Sequence, residues 1–147
     1  LCRAEEYTPE YYIDFYLCYE MMEHLHNPAI FLYRLAKANK GKYMIVTVPY
    51  LEQSRVGLHN SSNKSKKPIT AEMEHIFELS LEDWKKLCAH SGWKVLWTEV
   101  YFQYPVNMPI VSNLCKRVWK EYDFEGFLGM VLKRDMLIAN RYIDWEE

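Results

Sequence analysis

The order of apolar and polar residues in the first third of the chain predicts a strand, a helix and a second strand. The run from Ile13 to Tyr19 is aromatic and β-prone, and the run from Tyr43 to Val48 is β-branched. Each is typical of a buried strand. Between them, apolar positions recur at helical spacing from Pro28 to Lys40. A strand–helix–strand unit of this length implies a parallel pair of strands joined by a right-handed crossover.

Capping and breaking residues set the expected ends of these elements. Asn27 suits a helix N-cap and Pro28 suits the first helical position, while Gly41 is expected to end the helix. Pro49 is expected to end the second strand, because proline lacks the N–H that a ladder of hydrogen bonds needs.

The second half of the chain continues the alternation of helices and strands. An S-x-x-D start at Ser80 opens a helix that is expected to run to about His90. A half-exposed strand, a further helix and a further strand follow, at Trp93 to Phe102, Pro109 to Tyr122 and Phe127 to Leu132. With no internal repeat and no domain linker, residues 1–147 are expected to form a single α/β domain.

Residues 51–70 interrupt this alternation with a polar, basic segment rich in Ser and Asn. Such a composition is typical of a surface loop, and long loops also serve as lids over active sites. Two interpretations stay open, a solvated insertion and a lid that faces the substrate.

Composition narrows the class of protein without identifying it. Of the 147 residues, half are apolar and 26% are charged, which is typical of a globular protein rather than a disordered one. A net charge of −2 provides no whole-protein field for nucleic acid or an anionic membrane. No apolar run approaches the roughly 20 residues of a membrane span. The four cysteines are scattered without a C-x-x-C pair, which favours a reducing compartment and a cytoplasmic location.

Candidate functional residues follow the first predicted strand. Ligands of open α/β sheets bind outside the carboxyl ends of the strands, and Glu23 and His24 come soon after such an end. Their alternative roles are an acid in a first turn and a surface histidine. His59 and His75 flank the long loop, and either suits a general base, although a structural role in the loop is the simpler interpretation. His24 and His26 stand two residues apart, a poor spacing for one face of a helix, so no metal site is expected.

The segment from Asp14 to Leu25 is the most specific stretch of the sequence. It reads D-F-Y-L-C-Y-E-M-M-E-H-L and is similar to the fourth strand and following turn of class I S-adenosylmethionine (SAM)-dependent methyltransferases. Between His75 and Trp93, the motifs H-I-F, S-L-E-D-W and S-G-W resemble methyltransferases of the UbiE-like and polysaccharide-cluster kind. Upstream, the run from Arg3 to Glu6 resembles the Asp-Ala-Glu-Glu that follows the third strand of the family.

The resemblance implies a partial Rossmann-like methyltransferase fold. The family orders its strands 3-2-1-4-5-7-6, and this chain is expected to hold 4-5-7-6, with the last strand antiparallel between two others. The first strand, the glycine-rich cofactor turn and the acidic residue for the ribose are expected to precede Leu1, since the five glycines of the chain form no G-x-G. The strand from Ile13 to Tyr19 then becomes an apolar edge, through which we expect a homodimer or a partner chain to pair.

The resemblance also implies which residues meet the cofactor, SAM. By position in the family, Leu17, Cys18 and Tyr19 wall the methionine half of SAM, while Ala4, with Glu5 nearby, lies by the adenine. Each of these roles is carried over from the family and does not follow from the residue types alone.

Near the methyl acceptor, we expect Glu23, His24 and His59 as catalytic residues and Tyr50 and His75 as substrate contacts. The acceptor is expected to be a small molecule or a glycan, because the chain has no basic surface for nucleic acid. The predicted function is therefore SAM-dependent methyl transfer, by a chain that lacks the glycine-rich turn and binds SAM poorly by itself. The alternative is a non-catalytic, methyltransferase-like domain that binds a partner.

Overall fold

The computed structural model of the protein describes residues 2–57, 68–70, 73–104, 107–122 and 124–144. All of the predicted longer strands and helices are present, and two short strands join them. In chain order the elements are strand β1 (Ile13–Tyr19), helix α1 (Pro28–Ala38), strands β2 (Gly41–Tyr50), β3 (Arg55–Val56) and β4 (Phe77–Glu78), helix α2 (Leu81–His90), strand β5 (Trp93–Phe102), helix α3 (Pro109–Tyr122) and strand β6 (Gly126–Arg134).

Strands β1, β2, β6 and β5 lie side by side in that order and form a mixed sheet. β1 runs parallel to β2, with Phe15 opposite Tyr43 and Tyr19 opposite Thr47. β6 lies between β2 and β5 and is antiparallel to both. The predicted order 4-5-7-6, with the last strand inserted in antiparallel orientation, is confirmed.

Pro49 does not end β2, contrary to the prediction from the sequence. It lies inside the strand, opposite Phe127 of β6. β1 has already ended at Tyr19, which pairs with Thr47. Within the described part of the chain, no strand pairs with β2 beyond Tyr19 on that side. The missing N–H of proline therefore costs the β1–β2 ladder no hydrogen bond.

Gly41 does not end α1 either. The helix stops earlier because Asn39 takes the left-handed conformation of a helix cap (φ 53°). Gly41 instead begins β2, where a Cβ atom would collide with the ring of Tyr16. Glycine is therefore needed at this position for close packing of two strands and not for a turn.

Helices α1 and α2 cover one face of the sheet and enclose the hydrophobic core with it. Asn27 caps α1 by accepting a hydrogen bond from the backbone N–H three residues later (3.0 Å), and Ser80 caps α2 in the same way (3.3 Å). The indole N–H of Trp93 donates to the carbonyl oxygen of Leu32 (2.8 Å), which ties α1 to β5 inside the core. The most deeply buried core side chains come from both layers: Leu32, Leu35, Met44, Val46, Trp84, Trp93, Leu128 and Met130.

The opposite face of the sheet is apolar and exposed, and we call it the open face. Phe15, Leu17 and Tyr19 of β1 and Trp97 and Tyr101 of β5 lie on it, each with an exposed fraction between 49% and 63%. β1 is also an outer strand of the sheet. An apolar outer strand beside an apolar face favours association with further polypeptide.

Part of the predicted long loop belongs to a small two-stranded sheet. Within residues 51–70, Arg55–Val56 form β3, which pairs antiparallel with β4 beyond the loop, so that Arg55 lies opposite Glu78. Strands of two residues are too short to produce a periodic pattern, which is why the sequence did not predict them. Residues 58–67, which include the candidate His59, lie outside the described part of the chain.

Two of the four cysteines are core residues. All four are unpaired thiols. Cys18 in β1 and Cys88 in α2 are buried, and burial raises the pKa of each thiol to about 12. Both thiols therefore act as small apolar side chains. Among the helices that the structure describes, none has the length and apolar character needed to cross a membrane.

Candidate functional site

The turn after β1 lies at the carboxyl ends of β1 and β2. Glu20 adopts a left-handed conformation (φ 45°), and its backbone N–H donates to the carbonyl oxygen of Thr47 in β2 (3.0 Å). The chain then enters a short 3-10 helix, Met22–His24. This path turns the side chain of Glu23 into the interior, at the edge of the sheet where α/β proteins bind ligands.

Glu23 carries a fully buried carboxyl group, with an exposed fraction of 0%. Among the residues that the structure describes, no other residue donates a hydrogen bond to either of its side-chain oxygens. Burial raises the pKa of Glu23 to about 7, and the nearby charge of Glu20 acts in the same direction. A carboxylate in this position destabilises the fold unless a positive group binds it.

His24 lies beside this carboxyl group. Its Nε2 atom is 3.8 Å from Oε1 of Glu23, and its Nδ1 atom is 2.9 Å from the carbonyl oxygen of Glu74. A carbonyl oxygen can only accept a hydrogen bond, so Nδ1 carries a proton, and in the neutral ring the lone pair is on Nε2. The ring therefore presents its basic nitrogen to Glu23.

His75 reaches the same place from a distant part of the chain. The backbone N–H of Ile76 donates to the carbonyl oxygen of Glu23 (2.8 Å), which ties the segment before β4 to the turn. The rings of His75 and His24 lie edge to face, with their centroids 4.9 Å apart. The ligand atoms of Glu23, His24 and His75 all lie within 4.8 Å of one another. We call these three residues the Glu-His-His cluster.

A second layer of charged side chains holds His75. Its Nδ1 atom lies 3.4 Å from Oε1 of Glu78 in β4, and Arg55 in β3 binds Oε2 of the same carboxylate. Burial alone would raise the pKa of Glu78, but the hydrogen bonds from His75 and Arg55 outweigh it and hold the pKa below its usual value. Glu78 is therefore ionised at neutral pH and fixes the orientation of His75.

A polar cleft lies beside Arg55, the residue that binds Glu78. It has a volume of about 220 Å³ and is lined by Leu51–Arg55 and Glu125. The backbone N–H of Glu125 donates to the carbonyl oxygen of Tyr50 at the end of β2 (3.0 Å). The ring centroid of Phe124, the residue before Glu125, lies 5.4 Å from that of His75. The segment before β6 thus lines the cleft with Glu125 and contacts the cluster through Phe124.

The predicted cofactor residues of β1 point to opposite sides of the sheet. Leu17 and Tyr19 are exposed on the open face, whereas Cys18 is buried in the core. Side chains alternate along a strand, so three consecutive residues cannot share one face. Cys18 can therefore offer a ligand its backbone but not its buried thiol.

Ala4 and Glu5 lie in a 3-10 helix, Ala4–Glu6, that contacts α1. The carboxylate of Glu5 accepts a hydrogen bond from the backbone N–H of His26 (3.1 Å). Its carbonyl oxygen accepts one from the guanidinium of Arg34 in α1 (2.6 Å). These bonds hold the segment beside the turn that follows β1.

The structure brings together three of the residues predicted for the site, Glu23, His24 and His75. Arg55 and Glu78, which orient His75, are not predicted from the sequence. The i,i+3 spacing of His75 and Glu78 is a local signal that could have identified that pair. Arg55 gives no such signal, because its contact with Glu78 depends on the pairing of β3 with β4.

No protein-family model matches the sequence, and no curated protein matches it. Solved structures match its fold. One is a 1,6-didemethyltoxoflavin-N1-methyltransferase from Burkholderia thailandensis with bound S-adenosylhomocysteine (SAH), which is 12% identical with a TM-score of 0.58; the match covers 91% of this chain and 49% of that protein. Another is the O-methyltransferase from a trans-AT PKS multienzyme of Brevibacillus brevis in complex with SAH, which is 9% identical with a TM-score of 0.58, over 98% of this chain and 52% of that one. A third is the (4+2)-cyclase SpnF, 9% identical with a TM-score of 0.56, over 91% and 55%.

These similarities show that the chain has the mixed α/β fold of SAM-dependent methyltransferases. The chain spans about half the length of the three proteins. One of them is a cyclase, so the shared fold does not by itself specify the reaction.

Proposed function

We propose that this chain is part of a SAM-dependent methyltransferase that transfers the methyl group of SAM to a small molecule or a glycan. The observation that carries the proposal is the Glu-His-His cluster, which puts a base beside a buried carboxyl group at the carboxyl ends of β1 and β2. In α/β proteins this edge of the sheet binds ligands. The UbiE-like and polysaccharide-cluster methyltransferases are the subtype that we favour, on the motifs H-I-F and S-L-E-D-W.

The cofactor is proposed to bind against the carboxyl half of β1. Leu17 and Tyr19 offer exposed apolar and aromatic surface to the methionine half of SAM, and Cys18 offers its backbone. Ala4 and Glu5 are held beside the following turn and would lie near the adenine. The chain has no G-x-G turn at which a backbone could approach the cofactor closely. We therefore expect the 147-residue chain to bind SAM weakly.

Methyl transfer needs an acceptor atom in line with the methyl group and, for a hydroxyl acceptor, a base that removes its proton. His24 is the proposed base, because its Nε2 atom holds the lone pair and Glu23, 3.8 Å away, would stabilise the protonated ring. Tyr50, at the end of β2, and His75, in the cluster, are proposed to contact the acceptor. His59 is a second candidate base.

Two measurements test the cofactor and the chemistry separately. Titration calorimetry with SAM is expected to show weak but saturable binding. SAH release, measured over a panel of phenols, carboxylates and glycans, is expected to stop in the variant His24→Gln. His90→Gln is the matched control, because His90 bonds to Tyr142 (2.6 Å) at another part of the surface. Undetectable SAM binding, or equal SAH release by both variants, contradicts the proposal.

A non-catalytic interaction domain is the second candidate, and the open face favours it. We consider β1 paired antiparallel with β1 of a second copy, with the two Tyr16 residues opposite each other. In this register Ile13 faces Tyr19 and Phe15 faces Leu17. Apolar side chains then meet across the junction, and no like charges oppose each other within the strand. We infer that the chain forms such a homodimer. SAM binding without SAH release for any acceptor would favour this candidate over the enzyme.

The cytoplasm is the compartment that we propose for the protein. Its four cysteines are unpaired, and Cys2 is exposed. An exposed thiol persists most readily where the surroundings are reducing. Mass spectrometry of the protein isolated without reductant tests this, and a disulfide at Cys2 would contradict it.

A further inference from the structure

We propose that Glu23, His24 and His75 bind a divalent first-row transition metal ion such as Zn²⁺ or Fe²⁺. Their ligand atoms lie within 4.8 Å of one another. Small rotations of the side chains would bring one carboxylate oxygen and two imidazole nitrogens to bond lengths of about 2.0–2.2 Å around one ion. Two histidines and one carboxylate suit these ions, whereas Mg²⁺ and Ca²⁺ prefer oxygen ligands.

His24 already has the orientation of a metal ligand. Its Nδ1 atom donates to the carbonyl oxygen of Glu74 (2.9 Å), which places the lone pair of the neutral ring on Nε2, the atom that faces Glu23. Histidines that bind metals almost always donate their second ring N–H to a carbonyl or carboxylate oxygen. That bond fixes the tautomer and makes the ligating nitrogen more basic.

His75 has the same kind of support. Its Nδ1 atom lies 3.4 Å from Oε1 of Glu78, and Arg55 holds the other oxygen of that carboxylate. With Nδ1 engaged in this way, Nε2 is the nitrogen suited to bind an ion. Both histidines of the cluster therefore have an outer partner that sets the ring orientation.

Glu23 is the group for which an ion has the largest effect. Its side chain is fully buried, and within the described part of the chain no other residue donates a hydrogen bond to its carboxylate oxygens. A divalent cation between Glu23 and the two imidazoles would compensate this charge in the interior. His26 is exposed and does not belong to the cluster. The poor spacing of His24 and His26 therefore does not bear on this site.

Three protein ligands leave at least one coordination position for water or a substrate atom, as in catalytic zinc sites. The side chains of His24 and His75 are 21% and 27% exposed, so water or a substrate can reach that position from the side of the two imidazoles. In methyl transfer, the ion would bind the acceptor hydroxyl and lower its pKa, and so replace His24 as the means of activation. This use of the ion rests on the proposed function, whereas its binding does not.

The test uses the whole chain, freed of metal by a chelator and kept without SAM. Zn²⁺ is titrated by calorimetry, and Co²⁺ is followed by its visible absorption, which reports coordination by nitrogen and oxygen. We expect one ion per chain. Glu23→Gln and His75→Gln are each expected to weaken binding at least about tenfold, whereas His90→Gln leaves it unchanged.

Absence of saturable binding by the unaltered chain overturns the proposal, whatever the variants do. Binding that is equally strong in Glu23→Gln overturns the assignment of the ligands, provided that circular dichroism shows this variant folded. Because no SAM is present, a negative result here leaves methyl transfer with His24 as base intact. Conversely, a chain that binds Zn²⁺ and releases no SAH contradicts the proposed function alone.

Discussion

Nε2 of His24 lies 3.8 Å from Oε1 of Glu23, although the two side chains have very different access to solvent. The carboxyl group is fully buried, while the imidazole is 21% exposed. The pair therefore connects the interior of the domain to its surface. A proton, an ion or a substrate that reaches His24 acts on a carboxyl group that solvent does not reach.

Glu23→Gln is expected to raise the free energy of unfolding in metal-free buffer at neutral pH, by about 1 kcal/mol. The reason is that glutamine keeps the shape of the side chain and removes a charge that is buried without a donor from another described residue. Urea unfolding in the presence of a chelator measures the change, and added Zn²⁺ is expected to reverse the order of stability.

Glu82→Gln is the matched control for that experiment. Glu82 is an exposed carboxylate on α2 that pairs with Lys85 (2.8 Å), and exposed pairs of this kind contribute about 0–1 kcal/mol. A loss of stability in Glu23→Gln without metal would mean that the carboxylate has a stabilising role and that its burial is not a cost.

The fold could be predicted largely because its signals are local. The bounds of β1 agree with the apolar run from Ile13 to Tyr19, and the caps Asn27 and Ser80 act where the sequence places them. The predictions for Pro49 and Gly41 are wrong because the effects of these residues depend on neighbouring strands. Pro49 is tolerated because β1 ends before it, and Gly41 is required by the ring of Tyr16.

The site could be predicted only in part, for the same reason. Glu23 and His24 follow a strand end, where a general rule of α/β sheets places ligands. His75 joins them because the backbone N–H of Ile76 donates a hydrogen bond to the carbonyl oxygen of Glu23, 53 positions earlier in the chain. No pattern in the sequence predicts that contact. Arg55 reaches the site because β3 pairs with β4. These strands have two residues each, too few to produce a periodic pattern in the sequence.

Trp93→Phe is expected to destabilise the protein by about 1–3 kcal/mol. The smaller ring leaves a space in a fully buried position and deprives the carbonyl oxygen of Leu32 of its indole donor (2.8 Å). Trp97→Phe makes the same chemical change on the open face, where the indole is half exposed, and is expected to cost less than about 0.5 kcal/mol. Thermal or urea unfolding compares the two. Equal losses would show that Trp97 is covered in solution.

Cysteine labelling should separate the four thiols into two classes. Cys18 and Cys88 are buried, and their pKa values of about 12 leave almost no thiolate at pH 8. Cys2 is exposed and Cys115 is partly exposed, so we expect both to react with iodoacetamide in the native protein. Peptide mass spectrometry identifies the labelled residues. Rapid native labelling of Cys18 would mean that β1 leaves the sheet on the timescale of the reaction.

Leu17→Lys is expected to convert the proposed homodimer to a monomer. Leu17 is 63% exposed in the middle of the outer strand β1, so a lysine there costs the folded monomer little and places a charge in the apolar junction. Leu137→Lys is the matched control, because Leu137 is 79% exposed and lies outside the sheet.

Size-exclusion chromatography with light scattering gives the mass of each protein. The unaltered chain and Leu137→Lys are expected to elute as dimers, and Leu17→Lys as a monomer that keeps its circular dichroism spectrum and unfolding midpoint. A monomeric unaltered chain at micromolar concentration would rule out self-pairing of β1. In that case the apolar residues of the open face, Phe15 and Tyr19 among them, would stay in contact with water in solution. Apolar patches of this kind are usually covered by a partner.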